Sequence, residues 1–141
     1  EAAGIEVVDL ALSSICDYEE VRTEEMDLTG SAIINIGKDI TTVSVFNKGI
    51  ITNSSILKIG SKIIDEDISY IYYINKKNAR RVKENFGIAS SLYASKTETY
   101  EARDVNGKLV NINQFELAKI INKRLSQILN IAKNELYLFV K

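Results

Sequence analysis

Histidine, proline and tryptophan are absent from these 141 residues, and cysteine and methionine occur once each. Without imidazole, the chain has no histidine general acid–base catalysis, no histidine-based catalytic triad and no histidine-ligated metal of its own. A lone cysteine, Cys16, builds neither a disulfide framework nor a thiolate zinc site within one chain, which suits a reducing compartment. Cys16 itself reads as a small buried apolar residue in preference to a nucleophile. No run approaches the roughly 18 apolar residues that would span a bilayer, and no signal peptide is apparent. A bias of charge is missing too: 18 basic residues stand against 19 acidic ones, so no overall field draws in nucleic acid or an anionic membrane.

What is present is a core. A hydrophobic share of 45% with 26% charged residues is ordinary for a globular chain, enough for one core or two small lobes sharing a sheet. The chain opens at Glu1 without methionine, already inside an apolar strand pattern at Ile5–Leu12. That start, and a final apolar run Leu136–Val140 read as a strand cut short, suggest a piece of a longer protein.

The most informative stretch is Ser31–Phe46. Ala32, Ile34 and Ile36 alternate with Ser31, Ile33 and Asn35, and Thr42, Ser44 and Phe46 alternate with Val43 and Val45. This period of two predicts a pair of antiparallel strands with Gly37 at the crest. Asn47-Lys48-Gly49 then turns the chain into a third strand reaching Ile59, where Asn53-Ser54-Ser55 favours a twist or bulge. Ahead of the hairpin, Ile15–Met26 reads as a solvated helix capped by Ser13 or Ser14. Beyond it, Lys62–Tyr73 reads as an amphipathic helix ended by Asn75, and Asn78–Phe86 as a shorter one with Gly87 as a left-handed cap. Asn106-Gly107 predicts a hairpin between 97–103 and 108–112, polar on both faces and exposed or at an edge. Asn113 caps a long last helix on which Phe115, Leu117, Ala118, Ile121, Leu125, Ile128, Leu129 and Ala132 follow a spacing of three and four.

Asn35-Ile36-Gly37-Lys38-Asp39-Ile40-Thr41-Thr42 resembles the second phosphate loop of the actin-like ATPase superfamily, which carries Asp-x-Gly-x-x-Thr. Within it the chain most resembles the bacterial cell-division FtsA family, where Asp-Ile-Gly-Gly-Gly-Thr-Thr-Asp is usual; Ile36, Gly37 and Thr41 match. Further pieces resemble that family in the same order: Ala3-Gly4-Ile5-Glu6-Val7-Val8-Asp9-Leu10, Ile59-Gly60-Ser61 with Asp67-Ile68, Ala79-Arg80-Arg81-Val82-Lys83 with Gly87, and Leu117-Ala118 through Arg124. The resemblance covers nearly the whole chain.

It implies an α/β fold, the second lobe of the ribonuclease-H-like actin ATPase domain. Residues 1–59 with 134–141 would form the sheet subdomain, a three-stranded antiparallel meander with helices, and 60–133 a smaller companion of helices and a hairpin. It implies nucleotide contact at Asn35, Gly37, Lys38, Asp39, Thr41, Gly60, Ser61 and Lys83, with magnesium held through water at Asn35 and ATP as the nucleotide of the complete protein. A neutral amide at position 35 and bulkier Lys38, Asp39 and Ile40 beside Gly37 depart from the family and point to weak or lost ATP binding.

Each residue has a plainer role beside that one. Asn35 and Gly37 suit a hairpin turn equally well, Lys38 and Asp39 a solvated turn, Thr41 a cross-strand bond and Gly60 a tight strand-to-helix turn. Arg80, Arg81 and Lys83 suit a helix surface, with Arg80 reversing a family glutamate. Tyr70, Tyr72 and Tyr73 fit core and rim packing better than a stacking platform for nucleic acid. The resemblance further implies a cell-division scaffold that self-associates into filaments, contacts the tubulin-like FtsZ, and lies in the cytoplasm at the inner membrane face through regions outside this chain. No nucleic-acid partner is expected. At most the complete protein is an ATPase; the alternatives are a PilM-like pilus-assembly scaffold of the same superfamily and an active ATPase whose altered loop is rebuilt by Lys38.

Overall fold

The computed structural model describes residues 11–139, and the expected strand at Ile5–Leu12 lies outside them except for Ala11 and Leu12, which are not strand. Helices α1 (Ser13–Val21) and α2 (Glu24–Thr29) precede a meander of β1 (Ser31–Ile36), β2 (Thr41–Asn47) and β3 (Ile50–Leu57). Helices α3 (Lys62–Tyr72) and α4 (Lys76–Phe86) follow, then the hairpin β4 (Thr99–Arg103) and β5 (Leu109–Asn113), and last α5 (Gln114–Phe139). The meander order is β1-β2-β3, antiparallel throughout.

Register follows the alternation. Asn35 faces Thr42, Ile34 faces Val43 and Ile36 faces Thr41 across the first pair of strands. One face of β2 carries Ser44 and Phe46, and Tyr18 of α1 stacks on Phe46 with ring centroids 4.2 Å apart. The Tyr18 hydroxyl donates to Asp27 of α2, and that bond, ahead of burial, holds the phenol above its ordinary pKa. The opposite face of β2 buries Thr41 and Val43, and α5, which packs on β2 and β3, brings its own buried Ile128 and Ala132. Between β2 and β3 the register shifts at Val45/Phe46, leaving Thr52 as the extra residue, next to the predicted twist at Asn53-Ser54-Ser55.

The second cluster joins Ile64 and Ile68 of α3, Ala79 and Val82 of α4, Ala102 and Ile112 of the hairpin, and Leu117 and Ile121 of α5, with Ile74 between the helices. Arg124 of α5 reaches back to α3 and clasps Asp67 through two nitrogens at 2.6 and 2.7 Å, a planar fork that fixes the helix pair in register. Asn113 caps α5 as expected, its Oδ1 accepting from Phe115 and Glu116 amides.

Several local expectations give way to tertiary constraints. The predicted helix Ile15–Met26 is two helices, because Thr23 caps the second by accepting from Met26 N–H, and α1 starts after Leu12 with no serine side-chain cap. Asn75 does not end α3; Tyr73, left-handed at φ 57°, does, and Asn75 instead caps α4 by accepting from Asn78 N–H. Gly87 is extended, at φ −72°, and glycine is needed there because a methyl would lie 2.7 Å from Ile121 and 2.5 Å from the Lys83 carbonyl. In the β4–β5 turn only Gly107 has positive φ, with Asp104 accepting from the Asn106 and Lys108 amides, so the two-residue mirror-image turn is not formed. That hairpin also has one apolar face, since Ala102 and Ile112 are core. The apolar run Leu136–Phe139 is helix, continuing the spacing of Ile128 and Ala132 with nothing to stop it. Cys16 is exposed, and so are Tyr70 and Tyr73, leaving only Tyr72 packed against the core.

Tyr18→Phe is expected to cost about 1 kcal/mol, since the stacking stays and only the hydroxyl bond is lost. Tyr18→Ala is expected to cost about 3–5 kcal/mol. Urea unfolding of the two variants measures the difference; equal losses would show that the hydroxyl carries the contact.

Candidate functional site

The β1–β2 crest is a short loop, Gly37 to Ile40, closed by the Gly37 N–H donating to the Ile40 carbonyl at 2.9 Å. A methyl at Gly37 would lie 2.9 Å from that same oxygen, so glycine here serves the tightness of the loop. The crest then leans on the start of α3. Ser61 N–H donates to the Gly37 carbonyl at 2.8 Å, and Lys62 N–H to the Lys38 carbonyl at 2.9 Å. Gly60 makes this possible: a methyl there would stand 2.4 Å from Lys38 O and 2.7 Å from Gly37 O.

The clamp settles which backbone donors face outward. Two amides at the start of α3 are spent on the crest carbonyls. Among the described residues, the amides of Lys38, Asp39 and Ile40 have no hydrogen-bond partner, leaving three successive donors on the loop itself. Beside them opens a groove of about 240 Å³ lined by Lys38, Asp39, Lys58, Gly60, Lys62 and Glu66 among others. Three lysines meet two carboxylates there, and both carboxylates are engaged: Asp39 with Lys62 at 3.3 Å and Glu66 with Lys76 at 2.8 Å. The Lys76 bond holds the Glu66 carboxyl below its ordinary range. These pairs are exposed and screened by solvent, so they hold the lysines only weakly and leave them able to turn toward an anion.

Lys83 approaches from α4. Its ammonium lies 2.7 Å from Asp65 Oδ1 of α3 and 3.5 Å from the Ser61 carbonyl. Both side chains are largely buried, at 18% and 9% exposure, and Asp65 Oδ1 gains charge contact without a well-aligned hydrogen bond. Lys83 is thus tied to the same turn that Gly60 supports. Arg80 pairs with Glu84 one turn along at 2.7 Å on the exposed side of α4.

Gly37, Lys38, Asp39, Gly60, Ser61 and Lys83 therefore meet in one place. Thr41 adjoins them, buried, with its hydroxyl donating to the Ile59 carbonyl at 2.8 Å, so it fastens the base of the crest to the strand leading into Gly60. Asn35 is on the other face of the hairpin, in register with Thr42, where its amide donates to Asp17 of α1 at 2.8 Å. Its remaining oxygen is a hard donor of the type magnesium takes, directly or through water. Asp17, Asp65 and Lys62 escape the sequence reading. Asp17 and Asn35 lie 18 positions apart and on different elements, and only the packing of α1 on β1 joins them.

Residues 32–136 match the family model for the cell division protein FtsA. The chain is 32% identical to the cell division protein FtsA of Bacillus subtilis (strain 168) over 137 residues, covering 96% of the chain and 31% of that protein. It is 30% identical to the cell division protein FtsA of Streptococcus pneumoniae serotype 2 over 138 residues, again 96% of the chain and 30% of the relative. The chain thus spans about a third of the length of these relatives. Its backbone superposes on the crystal structure of MreB5 of Spiroplasma citri bound to ADP with a TM-score of 0.76 at 23% identity, covering 96% of the chain and 44% of that structure. A second structure of that protein, bound to AMPPNP, gives a TM-score of 0.63 at 25% identity over 79% of the chain and 37% of its own length. The meander, the crest seated on α3 and the long closing helix are those of an actin-like fold, and this chain belongs to the FtsA family of cell-division proteins.

Proposed function

We propose that the chain works as the second lobe of an FtsA-type scaffold that binds ATP weakly through its β1–β2 crest and acts through self-association at the division septum. The carrying observation is the Gly60 clamp. It spends the Ser61 and Lys62 amides on the crest carbonyls and leaves the Lys38, Asp39 and Ile40 amides to meet phosphate oxygens. Such a loop grips with three backbone donors and lysine side chains, without the small residues that let a backbone wrap closely around phosphate. Lys38 and Lys62 offset phosphate charge, Gly37 and Gly60 let the crest close and seat on α3, and Lys83 holds the Ser61 turn through Asp65. Thr41 sets the height of the crest from below.

ATP is supported as the ligand by the fold shared with MreB5, whose structures hold ADP and AMPPNP. Magnesium would be held near Asn35 through water, and when bound it neutralises charge on the phosphates. In the complete protein the lobe would contribute to filaments, to contact with a tubulin-like partner of the FtsZ kind, and to a position at the inner face of the membrane supplied by regions outside this chain. The family match does not favour a pilus-assembly role.

Calorimetric titration of the complete protein with ATP and magnesium is expected to give a Kd of roughly 0.1–1 mM. Lys38→Glu is expected to weaken it about tenfold, because a repelling charge replaces an attracting one at the loop. Submicromolar affinity with turnover would instead establish an active ATPase with a rebuilt loop.

Gly60→Ala is expected to destabilise the protein by about 1–3 kcal/mol, read as a lower urea midpoint with unchanged slope, and to weaken ATP binding as the crest lifts from α3. A wild-type midpoint would mean that the backbone contact is not made.

A further inference from the structure

The bond between Asn35 and Asp17 puts a carboxylate where position 35 has none. Asn35 Nδ2 donates to Asp17 Oδ2 at 2.8 Å. Only the amide nitrogen can donate to a carboxylate, so this contact fixes the amide orientation and turns Asn35 Oδ1 away from Asp17. Thr42 is the cross-strand partner of Asn35, and its hydroxyl emerges on the same face of the hairpin. Asp17, Asn35 and Thr42 thus present a carboxylate, an amide oxygen and a hydroxyl, all hard oxygen donors, one strand residue away from the crest. Among the described residues, Asp17 has no cationic side chain within ion-pairing distance. Asn35 is exposed and Asp17 half-buried.

We infer that Asp17 is the positioning carboxylate for a magnesium-bound water beside the crest, with Asn35 as the residue that holds Asp17 there. The inference rests on the nucleotide reading for the phosphate oxygens that complete the coordination. A single carboxylate suits this ion. Magnesium keeps several waters and is commonly held by one or two carboxylates with substrate phosphates, not by an all-protein cage. The bland alternative is that the bond merely fastens α1 to β1, and it predicts a loss of stability with no change in metal affinity.

The test uses the complete protein and Mn²⁺ as the probe, followed by water proton relaxation with and without ATP, alongside urea unfolding. Asp17→Asn is expected to weaken Mn²⁺ binding about 10–100-fold with little change in the unfolding midpoint, and Asn35→Ala about 10-fold. Asn35→Asp alone is expected to tighten Mn²⁺ binding, since it sets two carboxylates side by side. The exchange D17N/N35D is expected to restore the wild-type affinity. Unchanged Mn²⁺ affinity in Asp17→Asn, or no Mn²⁺ binding by wild type under either condition, overturns the inference. If ATP does not bind but Mn²⁺ binding still depends on Asp17, the nucleotide reading falls and the cation site stands.

Discussion

The contact between two stretches of backbone, Gly37–Lys38 on one side and Gly60–Lys62 on the other, sets the position of everything else at the site. Hydrogen bonds of 2.8 and 2.9 Å cross it, and the missing side chain of Gly60 is what lets the chains come that close. Because both donors belong to the first turn of α3, the helix direction and the hairpin tip are fixed by the same two bonds. Lys83 and Asp65 reinforce the turn from behind. A buried ion pair is strongly destabilised when one partner is removed, typically by about 3–5 kcal/mol, so the pair ties α4 to the place where α3 begins.

This arrangement explains how an actin-like lobe with an altered loop keeps its shape. Lys38 and Asp39 stand where the family resemblance calls for small residues, yet both point out of the crest into solvent and groove, and the loop closes through backbone alone. The change therefore acts on what the loop can hold and leaves its form intact. Thr41, one of the positions matching the family pattern, is fully buried and bonded to Ile59, which accounts for its presence without any ligand.

Strands with a buried face and helices with long regular spacing were legible in the residues. The meander, its crest, the Asn113 cap and most of α5 follow from periods of two and of three to four. Misreadings fell where distant segments decide. Gly87 does cap α4, but in an extended and not a left-handed conformation, with the Lys83 carbonyl of its own helix and Ile121 of α5 together leaving no room for a side chain; the Ile121 contact cannot be read locally. Asn75 has the same capping chemistry at either end of a gap between helices, and the left-handed Tyr73 takes the first role. The Leu136–Phe139 run has no pattern of its own and inherits helix from the residues before it. At the site, the grouping of Gly37, Gly60 and Lys83 was legible through resemblance, whereas Asp17 required knowing which helix covers β1.

Helix α5 runs unbroken for 26 residues, on the order of 39 Å, from the β4–β5 hairpin to the underside of the meander. It carries neither proline nor glycine, and Arg124 pins it to α3 near its middle. A rod seated on the hairpin side at Leu117 and Ile121, on the meander side at Ile128 and Ala132, and clasped between them is built to transmit torque. Any rotation of the hairpin end, whether imposed by a neighbour or by a ligand, must reappear beneath Val43 and tilt the sheet that carries the crest, which makes the two extremities of this lobe mechanically one.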